Sequence, residues 1–417
     1  MTGSVVLSKS KTACWARFVR LDDIALMLLL VAALFGYGTT WTGLSGGQLI
    51  AVRMACLIPC VVTAIFQILC SQVTPLGAAI LSYSLLRVVA GYFAVNPGNA
   101  ILQGMLALLV FAVPKRFADR YGADRAITLV FWAFLAITVP MDLFALATHG
   151  DGCLVQESEW VWSSNYIFGD KFTLAYINMF FLGLSIYKLR SRAAIVLLTM
   201  FCTFVCGVAH CSTGIAGVLL MMLIYLVYGF LKRLLGSRWC VFGIIMLMAT
   251  VSVTAMELFQ LPVFQSFIVN VLGESSDLTG RLDIYPHLME LWLQRPLFGY
   301  GSDGAANLVM MESIGAPDTQ EGLFQILFSN GLIGGALFLS VCVFSMRNVS
   351  SLGKCGRGIY AFVIAMAFCS LVEINLSALF LLGLSLVSLM TSDRVEVGGA
   401  ESVTDKEGIS KWVSRRF

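Results

Sequence analysis

Two arginines bracket one stretch of the sequence, Thr279-Gly-Arg-Leu-Asp-Ile-Tyr-Pro-His-Leu-Met-Glu-Leu-Trp-Leu-Gln-Arg-Pro-Leu-Phe-Gly-Tyr-Gly-Ser302, at positions Arg281 and Arg295. A guanidinium is planar, permanently charged and able to hold a phosphate through two parallel hydrogen bonds. A pair of them is a candidate clamp for a phosphate group; the plainer alternative is a structural helix whose arginines snorkel to a membrane surface. Lys171 adds a third cation in a neighbouring segment. Downstream, Asp318-Thr-Gln-Glu321 puts a carboxylate at the start of an apolar run. Partly desolvated, such a carboxylate has a raised pKa and can take a hydroxyl proton near neutrality. It is equally suited to sit at a helix start for the sake of the dipole. The chain has three histidines, His149, His210 and His287, each able to act as acid or base. None has metal-ligand spacing, so no zinc site is expected. Arg87 and Glu373 fall inside apolar stretches read as helices, where a charge is costly and is either ion-paired or functional.

The elements that position these groups follow from composition. Of 417 residues, 59% are hydrophobic and only 12% charged, with a mean hydropathy of +0.87. A soluble domain carries roughly 25% charged residues, so this chain lacks the polar surface that water demands. Its apolar residues cluster in blocks of about twenty, the length of a bilayer-spanning helix. Blocks such as Ile24–Ala33 and Val218–Leu231 do not alternate as barrel strands must, which leaves helices. The net charge of +3 suggests no nucleic-acid partner. Most of the twelve cysteines lie within apolar blocks as small hydrophobes, and Cys153 with Cys211 is at most one pair, not a disulfide framework. The first apolar block reads as a retained signal anchor.

Twelve helices are expected, beginning near Ile24, Leu49, Leu76, Ala100, Ala126, Phe172, Ala194, Gly214, Trp239, Gly322, Gly358 and Leu376. With both termini cytoplasmic, 22 of the 27 Lys and Arg residues fall inside, as the positive-inside rule requires. Arg53 and Arg87 lie within helices, and only Lys171, Arg281 and Arg295 remain outside, among 13 external carboxylates. The expected domain is residues 1–392, with external loops at about 149–170 and 257–321; residues 393–417 read as a disordered cytoplasmic tail. No internal repeat is evident. In the long loop, Ile284, Leu288 and Leu291 recur at helical spacing, as do Tyr285, Met289 and Trp292. Asp283 can cap this helix and Pro296 stop it, giving an amphipathic helix on the outer surface followed by a glycine-permitted turn at 297–301.

At these residues the chain resembles the O-antigen ligase and polymerase family of bacterial membrane glycosyltransferases. The likeness rests on Thr279-Gly-Arg281 with Arg295-Pro-Leu-Phe-Gly-Tyr-Gly301, and on Gln320-Glu-Gly-Leu-Phe-Gln-Ile-Leu-Phe-Ser-Asn-Gly-Leu-Ile-Gly334. To these it adds Phe168-Gly-Asp-Lys-Phe172 and Cys211-Ser-Thr-Gly214. Two departures stand out. The family commonly has His-Asn where this chain has Gln320-Glu321, and many members carry an arginine within the Ser-Arg-Thr motif that Cys211-Ser-Thr-Gly214 lacks. Glu321, or His287, would then replace the histidine as base, and Lys171 the missing arginine. These absences weigh more against a ligase than a polymerase.

What the resemblance implies is an inverting, metal-independent glycosyltransferase with a GT-C-like all-α polytopic fold and no cofactor. It would polymerise oligosaccharide repeat units carried on a polyprenyl-pyrophosphate lipid at the outer face of the bacterial inner membrane, building O-antigen, capsule or exopolysaccharide. Arg281, Arg295 and Lys171, with Arg87 and Gln320 as further binding residues, would face the charge that grows on the departing pyrophosphate. Trp160, Trp162 and Tyr166 would stack on sugars or anchor at the interface. Implied partners are the lipid-linked oligosaccharide, the bilayer, a chain-length regulator and a flippase. A ligase is the close alternative. A transporter or flippase would want charges along a central path and broken helices in matching halves, and a structural membrane subunit is the remaining rival.

Overall fold

A computed structural model describes residues 19–35, 46–70, 74–92, 97–156, 162–189, 191–259, 281–301, 303–316 and 318–392. Among these residues five helices come first, α1 (Leu21–Leu34), α2 (Gly46–Cys70), α3 (Pro75–Tyr92), α4 (Pro97–Tyr121) and α5 (Ala123–Ala147). A small antiparallel sheet follows, β1 (Cys153–Gln156), β2 (Trp162–Tyr166) and β3 (Gly169–Asp170) in sequential order. Then come α6 (Lys171–Lys188), α7 (Arg192–Val208), α8 (Ser212–Val227), the single turn α9 (Lys232–Leu235) and α10 (Cys240–Phe259). The last group is α11 (Arg281–Gln294), α12 (Asp303–Ile314), α13 (Gly322–Ser345), α14 (Arg357–Cys369) and α15 (Ala378–Ser392).

Each of the twelve expected helix starts falls within three residues of an observed one. Among the described residues, four helices are long and apolar enough to cross a membrane, over Gly47–Gln67, Ala100–Tyr121, Ala123–Ala147 and Gly322–Ser351; α3, α7, α8, α10, α14 and α15 carry shorter apolar segments. The helices sort by face. In α6 every residue from Leu174 to Ile186 is buried, and in α14 all but one from Gly358 to Cys369. A helix apolar all round belongs in the middle of a bundle. Phe35, Phe134, Phe180 and Phe362 interlock there edge to face, with centroid separations of 5.3, 4.5 and 4.9 Å. By contrast α2 exposes Val52, Ile58, Val62, Ile65 and Phe66, and α7 exposes Val196, Leu197, Met200, Phe201 and Phe204. Apolar stripes of that extent suit contact with lipid rather than water.

At one end of the bundle the buried Asp23 of α1 accepts hydrogen bonds from α4: Arg116 Nε at 3.3 Å, Arg120 Nη1 at 2.8 Å and Tyr121 Oη at 2.8 Å. Because α1 runs from Asp23 toward Ala33 and α4 from Gln103 toward Arg120, Ala33 and Gln103 lie toward the opposite end. Four features differ from expectation. The 149–170 segment holds the small sheet rather than only loop. The described part of the long segment carries two helices: α11 begins at Arg281, so Asp283 lies inside its first turn, and α12 was not expected. Leu288, Leu291 and Trp292 of α11 pack with Ala306 and Met310 of α12 and Phe328 of α13, forming a satellite core. The helix is therefore fastened to the bundle as well as amphipathic. Finally, Glu373 is not in a helix; it stands in the irregular link between α14 and α15. The tail at 393–417 and the first eighteen residues lie outside the described part of the chain.

Candidate active site

A cavity of about 640 Å³ opens where the far ends of α1, α2, α4, α6 and α15 meet the turn before α13. Two cations line it, Arg53 and Lys171, with three carboxylates, Asp170, Asp318 and Glu373. Gln103, Gln320 and Tyr176 add polar edges, and Phe35, Phe172 and Leu379 add apolar wall. A mostly apolar cleft with a few convergent polar groups is the usual form of a binding site.

Local sequence explains how each group arrives. Asp170 is the N-cap of α6: its carboxylate accepts from Thr173 N at 2.8 Å and from Thr173 Oγ1 at 2.7 Å. That cap starts the helix at Lys171, so the ammonium is held at the mouth, partly buried and 5.4 Å from the Phe172 ring centroid. The strand before it is pinned by Tyr166, whose hydroxyl donates to Gly150 O at 2.7 Å. Tyr166 is 1% exposed, and desolvation pushes its phenol up to about 12; it braces the sheet instead of stacking on sugar. Of the other aromatics expected to stack, Trp160 and the Trp162 side chain lie outside the description.

Gln320 reaches the cavity through an unusual backbone, with φ +53°. A non-glycine residue in the left-handed region costs of order 1–3 kcal/mol and is retained where the surroundings enforce it. Here they do: Asp318 Oδ1 accepts from Gln320 N at 2.9 Å, Thr319 Oγ1 donates to Glu321 O at 3.0 Å, and Gly322 N donates to Ser370 O at 2.9 Å. The next residue, Glu321, points elsewhere. Its carboxylate caps α13 by accepting from Phe324 N at 2.5 Å, and the side chain is fully buried. Its second oxygen, Oε1, has no hydrogen-bond partner among the described residues. Desolvation pushes this carboxyl up to about 7, against the pull of the Phe324 and Leu323 N–H groups.

The expected site residues therefore divide. Lys171 and Gln320 share the cavity. Among the described residues, Glu321, His287, Arg87 and Arg295 do not line it. His287 is exposed on α11. Arg87 is buried in α3 with its guanidinium 5.8 Å from the Tyr83 ring. Arg295 is exposed and lies over Tyr300 at 5.2 Å. The Arg281 backbone opens α11, and its side chain is outside the description. At 1.5 Å per residue, α11 separates Arg281 from Arg295 by about 20 Å, too far for the two to clamp a single phosphate as a fork. Sequence reasoning assigned no role to Arg53, Asp170 or Asp318. Asp170 was visible in Phe168-Gly-Asp-Lys-Phe172 and Asp318 beside Gln320, but Arg53 carried no signal beyond being an intramembrane charge.

Two of the motifs that carried the resemblance form one structural unit. Helix α13 breaks at Gly331 (φ 64°, ψ −171°), and the 296–301 segment fills the break with its own backbone. Tyr300 N donates to Phe328 O and Gly301 N to Ser329 O, both at 2.9 Å; Leu332 N donates to Pro296 O at 2.8 Å. Non-helical backbone at membrane depth is tolerated only when its polar groups are satisfied by protein. The approach is so close that a Cβ on Gly331 would lie 2.2 Å from the Leu297 carbonyl, and one on Gly299 2.5 Å from Phe328 O. Tyr300 then stacks on Phe328 at 4.8 Å.

The molecule so described is a membrane-type helical bundle with a charged cavity at one end, to which the small sheet contributes Ser164 and Asp170. Residues 195–339, from α7 to the second half of α13, match the family model for O-antigen ligase. Over this region, about a third of its length, the chain is similar to the O-antigen ligase family. No curated protein matches the chain. The matched region contains Asp318 and Gln320, whereas Arg53, Lys171 and Glu373 come from outside it.

Proposed function

We propose that the protein polymerises oligosaccharide repeat units from a polyprenyl-pyrophosphate carrier at the outer face of the bacterial inner membrane, by an inverting transfer. In this reading the twelve helices all span, both termini are cytoplasmic, and the cavity opens on the periplasmic side. The observation that carries it is the convergence of Lys171, Gln320 and the carboxylates Asp318 and Glu373 on one cavity, at the end opposite the basic Arg116–Arg120 cluster. No nucleotide sugar is available outside the cell, so the activated bond has to arrive on a lipid. The acceptor hydroxyl attacks the anomeric carbon, the bond to the pyrophosphate oxygen breaks, and its electron pair stays on that oxygen. Lys171 faces the charge that results. One preorganised donor aimed at such charge is worth roughly 3–4 kcal/mol.

The acceptor proton passes to a carboxylate of the cavity, Glu373 or Asp318. Gln320 is an amide and can orient the hydroxyl but not deprotonate it. Glu321, first choice from the sequence, is occupied in capping α13, and His287 stands outside the cavity. The protein's own cations provide the leaving-group stabilisation. A ligase that moves glycan to a different acceptor uses the same chemistry and cavity. Chain-length regulator and flippase are the partners such a polymerase would work beside.

The test is elongation of lipid-linked oligosaccharide by the purified protein in detergent. Products longer than one repeat establish a polymerase, and transfer only to an added second lipid acceptor establishes a ligase. Release of neither product, with transport of the intact lipid into vesicles, would overturn the reading in favour of a flippase.

A further inference from the structure

Two buried thiols meet where α7 turns into α8. The turn closes through Cys211 N, which donates to Cys206 O at 2.9 Å, and His210 N, which donates to Gly207 O at 3.1 Å, with His210 at φ +50°. This is a Schellman turn, and the residues joined by its longer bond commonly hold an apolar contact. Here that pair is Cys206 and Cys211, 0% and 1% exposed. Standard bond lengths on either side of a 2.9 Å hydrogen bond keep their Cα atoms within about 6.8 Å, inside the reach of a disulfide. The sulfurs converge as well: each lies 3.1 Å from the point that a Cβ on Gly214 would occupy, and Ala175 Cβ of α6 bounds the same point at 2.6 Å. A glycine in the first turn of α8 thus leaves the room in which the two thiols face each other.

Resting on the polymerase reading, which puts the cavity end of the bundle in the periplasm, we propose that Cys206 and Cys211 become joined as a disulfide in the cell. The turn lies at that end: a Cβ on Gly150, just before the small sheet, would strike the Val208 carbonyl that closes α7. Both cysteines are thiols in the structure. Facing thiols on the cytoplasmic side stay reduced and serve as small hydrophobes, whereas on the periplasmic side they meet an oxidant. The thiolate of one attacks a disulfide carried by a periplasmic thiol oxidase, and the second displaces the mixed disulfide. The S–S bond forms, and the oxidase leaves as a dithiol with the two electrons and two protons. Because the pair is buried, it oxidises before α6 closes over it and is shielded from reductant afterwards. The bond holds the left-handed backbone of His210 and seats the start of α8 against Ala175, one turn along α6 from Lys171 at the cavity mouth.

The experiment counts thiols in the full-length protein. Cells are quenched in acid, and the protein is denatured, alkylated without reductant and cut with trypsin. Peptide 193–232 has no internal Lys or Arg and holds three cysteines, Cys202, Cys206 and Cys211. It is expected to carry one alkyl group, on Cys202, and to weigh two hydrogens less than the same peptide with two free thiols; reduction beforehand should raise the count to three. Cys206→Ala and Cys211→Ala should each leave both remaining cysteines alkylated. Three alkyl groups on the unreduced wild-type peptide would overturn the proposal, and so would a bond from this peptide to Cys153 or Cys369. A second arm keeps this failure apart from that of the polymerase reading. Asp151→Cys, in a Cys153→Ala background, places an exposed thiol beside the sheet. Its labelling by a membrane-impermeant maleimide on intact spheroplasts supports the outward orientation, so that three alkyl groups would then remove the disulfide alone. No labelling would put this end of the bundle inside the cell and remove both.

Discussion

Glu321 offers the sharpest test of how this chain uses charge at its active end. The perturbation is Glu321→Gln, which keeps the side chain's shape and leaves a carbonyl oxygen to accept from Phe324 N. The carboxyl titrates at 4.5 in an open chain and at about 7 where burial surrounds it in the fold. Because the folded form holds its proton more tightly, folding is stabilised below pH 4.5, relative to high pH, and that advantage is lost as pH rises through 7. The window from 4.5 to about 7 is worth about 3 kcal/mol, in the direction of lower stability at alkaline pH. The glutamine carries no proton to lose. Melting temperature in detergent, followed from pH 4.5 to 8.5, should fall for the wild type by several degrees and level off above 7, whereas Glu321→Gln stays flat and is the more stable protein at pH 8. If the two curves run parallel, the buried carboxyl is not the source of the pH dependence and the reasoning from its environment is refuted. Elongation activity adds a second readout: Glu321 as cap predicts that the glutamine variant still makes polymer, and loss of all product at unchanged melting temperature would restore it as the base.

Two further outcomes follow from the geometry. Gly331→Ala places a Cβ 2.2 Å from the Leu297 carbonyl at φ 64°. It should destabilise by at least about 1–3 kcal/mol from the backbone alone, with limited proteolysis cutting in the 296–301 segment; an unchanged melting temperature and cleavage pattern would mean that loop is not locked into α13. Lys171→Met and Arg295→Ala separate the cavity from the exposed loop: the first should lower elongation by about 10²–10³ without moving the melting temperature, and the second by less than tenfold. Equal losses would return Arg295 to the substrate.

Much of this architecture was legible because a bilayer imposes period and length on a sequence. Blocks of twenty apolar residues, bounded by Lys115, Lys188, Lys232 and Arg347 on one side, fix where helices start to within a turn. The satellite helix α11 was legible from Leu288, Leu291 and Trp292 recurring at helical spacing. The resemblance likewise rested on short glycine- and arginine-bearing runs, and the family match covers three of its four pieces. Such features are local, and local features survive in one dimension.

What the sequence could not decide was which charges meet. Arg281 and Arg295 look like a pair in print, yet the helix between them makes them distant; Arg53 and Lys171 are 118 positions apart and line one cavity. Adjacent residues also part company: Gln320, at φ +53°, faces the cavity while Glu321 turns inward to cap α13. A carboxylate's role depends on where the neighbouring backbone N–H groups and apolar walls lie, and those are set by the packing of α6, α13 and α14. Composition and periodicity thus determined that this is a helical membrane protein with its chemistry at one end. Only tertiary structure chose the residues, because convergence in space is a property of helix crossings that no single helix encodes.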